Sequence, residues 1–290
     1  MPIFDVLTMG RVSVDLYPEQ SGVPLAEVRS FAKSLGGSPT NVAVAAARLG
    51  RSAAVITKVG RDGFGPYVRS ALRDFGVDDR YVGIDPTLRT PIVFCELFPP
   101  DRFPLLFYRQ PSAPDMQLHL AELDLEAIAR ARVFWTTGTG LSDEPSRTAT
   151  LGALEARARA RITIHDLDFR PGLWSDPDAA GAYQRCALRH VTVAVGNQEE
   201  TAVAVGDGPP EVLARRLLQL GPELAVVKLG EQGVVVAWGD KVVRIPPVRV
   251  AVVNALGAGD AFGGALCHGL LSGWEPPRAV AFAAAAGAHV

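Results

Sequence analysis

The chain has 290 residues, 48% of them hydrophobic, with 29 basic against 31 acidic side chains and a net charge of −2. That length admits one large α/β domain or two small ones. The balanced charge excludes a basic nucleic-acid surface and an acidic solvating tail. The three cysteines, Cys95, Cys186 and Cys267, are too sparse for a disulfide framework and form no zinc pattern. They fit buried thiols of a cytoplasmic protein. The opening MPIFDVLTMG lacks the basic start of a secretion signal, and no apolar run approaches the ~20 residues of a membrane span.

In chain order, residues 3–10 read as a strand and 39–50 as a helix. Ser38 is the expected N-cap, Pro39 the first helical residue and Gly50 the stop. Residues 53–60 read as a strand and 64–76 as a helix. Further buried strands are expected at 131–138, 161–168, 191–196 and 224–230, with helical patterns between them at 144–160 and 210–220. This alternation predicts an α/β fold with a mostly parallel sheet and helices on both faces. Two stretches, 11–33 and 90–109, alternate like strands and predict a small antiparallel sheet inserted into the body. Residues 233–247 read as a hairpin turning at Gly239-Asp240, and the alanine-rich end as a helix. One domain over 1–290, with the small sheet laid over a ligand cleft, is the simplest arrangement.

The strongest motif is ALGAGD, residues 255–260, between a strand and a helical pattern. Gly257, Ala258 and Gly259 carry almost no side chain, so their N–H groups can face an anion at a helix N-terminus. Asp260 beside such an anion suits a base that takes the proton of a hydroxyl attacking a phosphate. The plainer alternative is a tight turn with Asp260 capping the helix. In LGGSPTN, residues 35–41, Gly36 and Gly37 permit close backbone approach, and Asn41 can hold a polyol hydroxyl; a capped turn is the alternative. KLGEQG, residues 228–233, offers a strand-end cation and backbone to phosphates, or is simply a hairpin. GxxxxGK[ST], an early GxGxxG, HExxH and GxSxG are all absent.

Together, LGGSPTN and ALGAGD resemble the paired signatures of the ribokinase-like (PfkB) sugar kinases. The resemblance extends through MGRVSVDLYP, VGRDGFG, VGNQEE and KLGEQG over nearly the whole chain. It implies an ATP- and Mg²⁺-dependent kinase with Asp260 as base and Gly257, Ala258 and Gly259 as the anion hole. Asp15, Gly36, Gly37 and Asn41 would bind substrate. Asn197 and Glu200 would organise Mg²⁺ and phosphates, and Lys228, Gly230 and Gly233 the nucleotide. The inserted strands match the family's lid, which often forms a homodimer contact. In relatives a monovalent cation lies near an aspartate that is Asn254 here, with Ala255 in place of threonine, so K⁺ activation is in question. Relatives usually continue beyond the last helix with a short tail, which predicts further chain after Val290.

GRVSVDLYP, DLDFRPGLW and NALGAGDAF are most similar to the family's 5-dehydro-2-deoxygluconokinases of inositol catabolism, which phosphorylate the 6-hydroxyl of a sugar acid. Such a substrate calls for a cation in the cleft. Lys33, Arg109 and Arg11 are the candidates, with Arg170 serving stability or phosphates. A 2-keto-3-deoxygluconate kinase is the nearest alternative, followed by ribokinase or fructokinase. A non-catalytic sensor on the same fold and a nicotinamide-dependent oxidoreductase are alternatives of other classes.

Overall fold

A computed structural model describes residues 4–99, 102–174, 176–250 and 256–289. Its strands are β1 (Val6–Met9), β2 (Ser13–Pro18), β3 (Phe31–Gly36), β4 (Ala53–Gly60), β5 (Val77–Asp78), β6 (Val82–Asp85), β7 (Ile92–Cys95) and β8 (Leu105–Tyr108). They continue as β9 (Val133–Thr137), β10 (Ile162–Asp166), β11 (Val193–Asn197), β12 (Leu224–Lys228), β13 (Val234–Trp238) and β14 (Lys241–Ile245). The helices are α1 (Ser38–Arg48), α2 (Phe64–Asp74), α3 (Leu125–Arg130), α4 (Ser146–Arg157), α5 (Ala180–Leu188), α6 (Gln198–Val205), α7 (Pro210–Gln219), α8 (Ala258–Leu271) and α9 (Pro276–Gly287).

The large sheet runs β14-β13-β12-β11-β10-β9-β1-β4-β5, with β6 also paired to β4. All its pairs are parallel except those made by the β13–β14 hairpin. Its strands are apolar on both faces because each face is covered. Val6, Val55, Val133, Trp135 and Val226 pack under α1, α2, α8 and α9. Their neighbours Leu7, Ala54, Phe134 and Val227 pack against α3, α4, α5 and α7. The chain builds outward from β1 in both directions, so the sheet order reverses between β1 and β9. Clefts form at the C-terminal strand ends at such a reversal.

The second sheet has the order β3-β2-β7-β8. Its two sequence stretches form antiparallel pairs, β2–β3 and β7–β8, joined through a parallel β2–β7 pair. β3 runs to Gly36, three residues past the expected limit at Lys33. Gly36 lies opposite Ser13, carrying the lid strand directly into the turn before α1.

Ser38 opens α1 instead of capping it. The cap position belongs to Gly37, at φ 98°. A side chain there is sterically excluded, since a Cβ would stand 2.4 Å from the Arg11 carbonyl oxygen. Cys95 and Cys267 are buried as expected, but Cys186 is exposed on α5. Among the described residues no helix is long and apolar enough to cross a membrane. Asn254 and Ala255 lie outside the described residues.

Candidate active site

Gly257 adopts a left-handed φ of 87° and starts α8, so Ala258, Gly259 and Asp260 form its first turn. The free N–H groups there point out of the helix toward the cleft. Asp260 is half-buried. Its Oδ2 accepts from the Asn41 side-chain amide at 2.9 Å. The two helices approach closely enough for this because their contact one turn further on is made of small residues. A Cβ on Gly264 would lie 2.4 Å from the Ala45 Cβ. Gly264 follows Asp260 by four residues, and Ala45 follows Asn41 by four, so each pair shares one helix face. Asn41, expected to hold a substrate hydroxyl, donates one amide N–H to Asp260.

Desolvation pushes the Asp260 carboxyl up to about 6, against the pull of Asn41 and Ser38 and with the help of the Asp168 and Asp166 charges. A carboxylate of that basicity is ionised at neutral pH and can still accept a proton usefully.

Asp15 stands on β2, its Oδ1 accepting from the Ser13 hydroxyl at 2.6 Å. Burial raises its pKa, with Ser13 and Arg11 opposing. It packs on Gly36 so closely that a Cβ there would fall 2.1 Å from Oδ1. Asp15, Gly36, Gly37, Asn41 and Asp260 therefore belong to one wall of the cleft.

The opposite wall collects the ends of β10, β11 and β12. Lys228 Nζ lies 3.8 Å from Asp166 Oδ2, and 3.8 Å from where a Gly259 side chain would begin. This places an ammonium group directly beside the α8 turn. Asn197 caps α6 and exchanges two bonds with Glu200, at 2.7 and 2.8 Å. Those bonds account structurally for the N-x-x-E spacing. Burial pushes Glu200 up to about 7, Lys228 opposing and Asp166 and Asp168 reinforcing. Asp166 is raised by burial as well. For Lys228, burial works against the charge, but Asp166 and Glu200 more than compensate and its pKa rises. Gly233 has φ 88° and no room for a side chain against the Ile245 carbonyl, whereas Gly230 faces open space.

The three cations expected to meet a substrate carboxylate each have a partner within the chain. Arg109 is buried and forms a two-pronged pair with Asp115, at 2.6 and 3.3 Å. Arg11 is buried against Thr139 and Asp168. Lys33 is opposite Leu16 on the lid sheet, whereas Asp15 is opposite Ser34, so strand alternation puts Lys33 on the other face. Its ammonium lies over the Tyr67 ring, 4.1 Å from the centroid. Sequence reasoning missed Asp166, Asp168 and Thr139. The DLD spacing at the end of β10, two carboxylates leaving a buried strand, was the available signal.

Residues 4–290 match the pfkB family carbohydrate kinase pattern. The chain belongs to the PfkB family of carbohydrate kinases. It is 33% identical over 292 aligned residues to a 5-dehydro-2-deoxygluconokinase of Clostridium perfringens, covering 98% of this chain and 86% of that one. A 5-dehydro-2-deoxygluconokinase of Photobacterium profundum is 34% identical, covering 98% and 88%. Among solved structures, a PfkB protein from Polaromonas sp. JS666 superposes with a TM-score of 0.89 at 28% identity, covering 99% of this chain and 95% of that one. An uncharacterized sugar kinase from Pyrococcus horikoshii, in complex with ATP, does so with a TM-score of 0.84 at 26% identity, covering 98% and 91%. The enzyme is thus a carbohydrate kinase with a ribokinase-like fold, and the cleft between lid and body is its candidate active site.

Proposed function

We propose that this kinase transfers the terminal phosphoryl group of ATP to the 6-hydroxyl of 5-dehydro-2-deoxy-D-gluconate, with body and lid acting as one unit in the cytoplasm. The observation that carries the chemistry is Asp260 in the first turn of α8, held by Asn41 and flanked by Lys228. The substrate reading rests on the relatives of about a third identity. None of the three expected cations lies free in the cleft, so charge pairing does not add to it.

Asp260 accepts the proton of the attacking hydroxyl, and Asn41 holds the carboxylate in place through its Oδ2. The N–H groups of Gly257, Ala258 and Gly259, together with Lys228, bind the phosphate oxygens as charge builds on them. Asp15 orients the sugar, and lid closure keeps water from competing as acceptor.

Among the described residues no group of three or more ligands could cage a metal. Asp166 and Glu200 nevertheless leave carboxylates whose pKa values are raised by burial, with Lys228 opposing. This donor set fits Mg²⁺ arriving with the nucleotide phosphates, held through one or two carboxylates and water. When bound, it would neutralise phosphate charge.

A homodimer through the lid is part of the proposal, supported by the exposed Leu105, Leu106 and Tyr108 on β8. The deciding experiment compares kcat/KM with ATP and Mg²⁺ on 5-dehydro-2-deoxygluconate, 2-keto-3-deoxygluconate, ribose and fructose. The first should be preferred. A preference for 2-keto-3-deoxygluconate would change the acid, and a preference for a neutral sugar would overturn the sugar-acid reading.

A further inference from the structure

Just past the end of β10, Asp168 has a positive φ of 22°, rare for a residue with a side chain. It is 4% exposed, and both its oxygens are occupied. Oδ2 accepts from the Thr139 hydroxyl at 3.0 Å and from Arg11 Nη2 at 3.4 Å. Oδ1 accepts from Arg170 Nε at 3.1 Å. The Thr139 hydroxyl also accepts from Arg11 Nε at 3.1 Å, closing a ring of bonds among Arg11, Thr139 and Asp168. Arg11 is 6% exposed, and the lid residue Phe107 lies over its guanidinium, 5.9 Å from the ring centroid.

Arg170 differs from Arg11 and Arg109. Its side chain is 51% exposed, and only its Nε is bonded to Asp168. The charges of Asp168, Glu200 and Asp166 surround it, which puts it on the Lys228 side of the cleft. Its terminal amino groups are the free prongs of a fork suited to phosphate oxygens.

We propose that Arg11 is a positioning residue: by compensating Asp168 it fixes that carboxylate, and Asp168 in turn aims the free fork of Arg170 at the phosphoryl group in transit. Without Arg11, one Asp168 oxygen loses its charged partner in a buried place. The nearest remaining cation is Arg170, which then folds back onto it and leaves the cleft. The inference rests on the kinase reading and is independent of which sugar is the acceptor.

The test is a double-mutant cycle of Arg11→Met and Arg170→Met on the full chain, measured with the best acceptor of the four-sugar panel, with melting midpoints taken alongside. We expect R170M to lower kcat/KM for ATP by about a hundredfold and R11M by about tenfold or more. The double variant should be no more than about twofold worse than R170M alone, because both remove one interaction. The KM of the sugar should stay within about threefold of the original. Arg11→Lys keeps the charge and should recover a large part of the loss; it also replaces R11M in the cycle if R11M does not fold. Losses that multiply in the double variant, or an R11K variant as impaired as R11M, would overturn the proposal. Turnover on a neutral sugar alone would overturn the sugar-acid reading while leaving the cycle decisive for Arg11.

Discussion

The two ends of β10 both bury charge, in opposite ways. At its start, Arg157 lies fully buried among neutral acceptors. Nε donates to the Thr163 hydroxyl at 2.8 Å, Nη1 to the Ile128 carbonyl, and Nη2 to the carbonyls of Ala131 and Ile162 at 3.1 and 3.0 Å. These bonds tie the ends of α3 and α4 to the sheet. Burial, with Arg161 nearby, pulls its pKa down to about 10, which still leaves it charged. At the other end, Asp166 meets the Lys228 ammonium at 3.8 Å and accepts one long bond from the Asp168 N–H at 3.4 Å, and Asp166, Glu200 and Asp260 are all raised by burial. A charge with every donor satisfied holds structure. Charges left short of partners hold a place for the substrate and its protons.

That contrast is broken most directly by exchanging one charge at each end. Asp260→Asn should lower kcat by about a thousandfold or more, the scale of a lost base plus lost positioning, while the KM for ATP changes little. Near-normal turnover would remove Asp260 from the base role. Arg157→Met should leave kcat of the folded enzyme nearly unchanged and cost about 3 kcal/mol of stability, because buried carbonyls lose their donors. Urea unfolding measures this, and an unchanged midpoint would show that the carbonyls find other partners.

A finer test lies at the Asn41 amide. Above about pH 6 Asp260 is ionised, so kcat/KM should fall about tenfold per unit below that point. A hydrogen bond to an ionised group is worth about 1.5–3 kcal/mol. Asn41→Ala should therefore move the acidic limb upward by about one to two units, at 1.36 kcal/mol per unit. A limb that stays in place would show that the acidic pKa belongs to another group, with Glu200 the obvious substitute.

How much of this was legible beforehand follows from what local sequence encodes. Runs such as AAVITKVG and ARVFWTTG are strands because each must bury both faces, a property of consecutive residues. ALGAGD announced its turn because Gly257 supplies a left-handed backbone directly before a helix. The fate of the cations was not local. Arg109 meets an aspartate six residues later, but Arg11 meets one 157 residues away. Nothing near either residue distinguishes a cation facing substrate from one already paired. The face that Lys33 takes was hidden for a different reason: a one-residue change of register reverses the face of a strand residue, and short lid strands without a strong apolar pattern leave register weakly specified. The bond between Asn41 and Asp260 was not legible, because the α1–α8 contact is made of alanine and glycine, and small residues do not advertise which helix they will meet.

The smallest expected effect sets stability against function at one atom group. In the unfolded chain the Asp260 carboxyl titrates near 3.8, and in the folded one near 6. The native state therefore binds the proton more tightly, and stability falls as pH rises across that window. Below it the carboxyl costs nothing, and above it the full cost of burying the charge is present. The cleft leaves the group partly open to water, which reduces the cost to about 1 kcal/mol. Asp260→Asn removes that charge, and Asn41 can turn its amide to offer oxygen in place of nitrogen. The variant should then melt about 2–4 °C higher than the original chain at pH 8, with the gain vanishing near pH 4. A gain equal at both pH values would assign it to packing, and a loss at pH 8 would mean that the carboxylate is better satisfied by the α8 turn than its raised pKa implies. The expected outcome, an enzyme made more stable by losing its base, would mark Asp260 as a site where folding pays a cost that only catalysis explains.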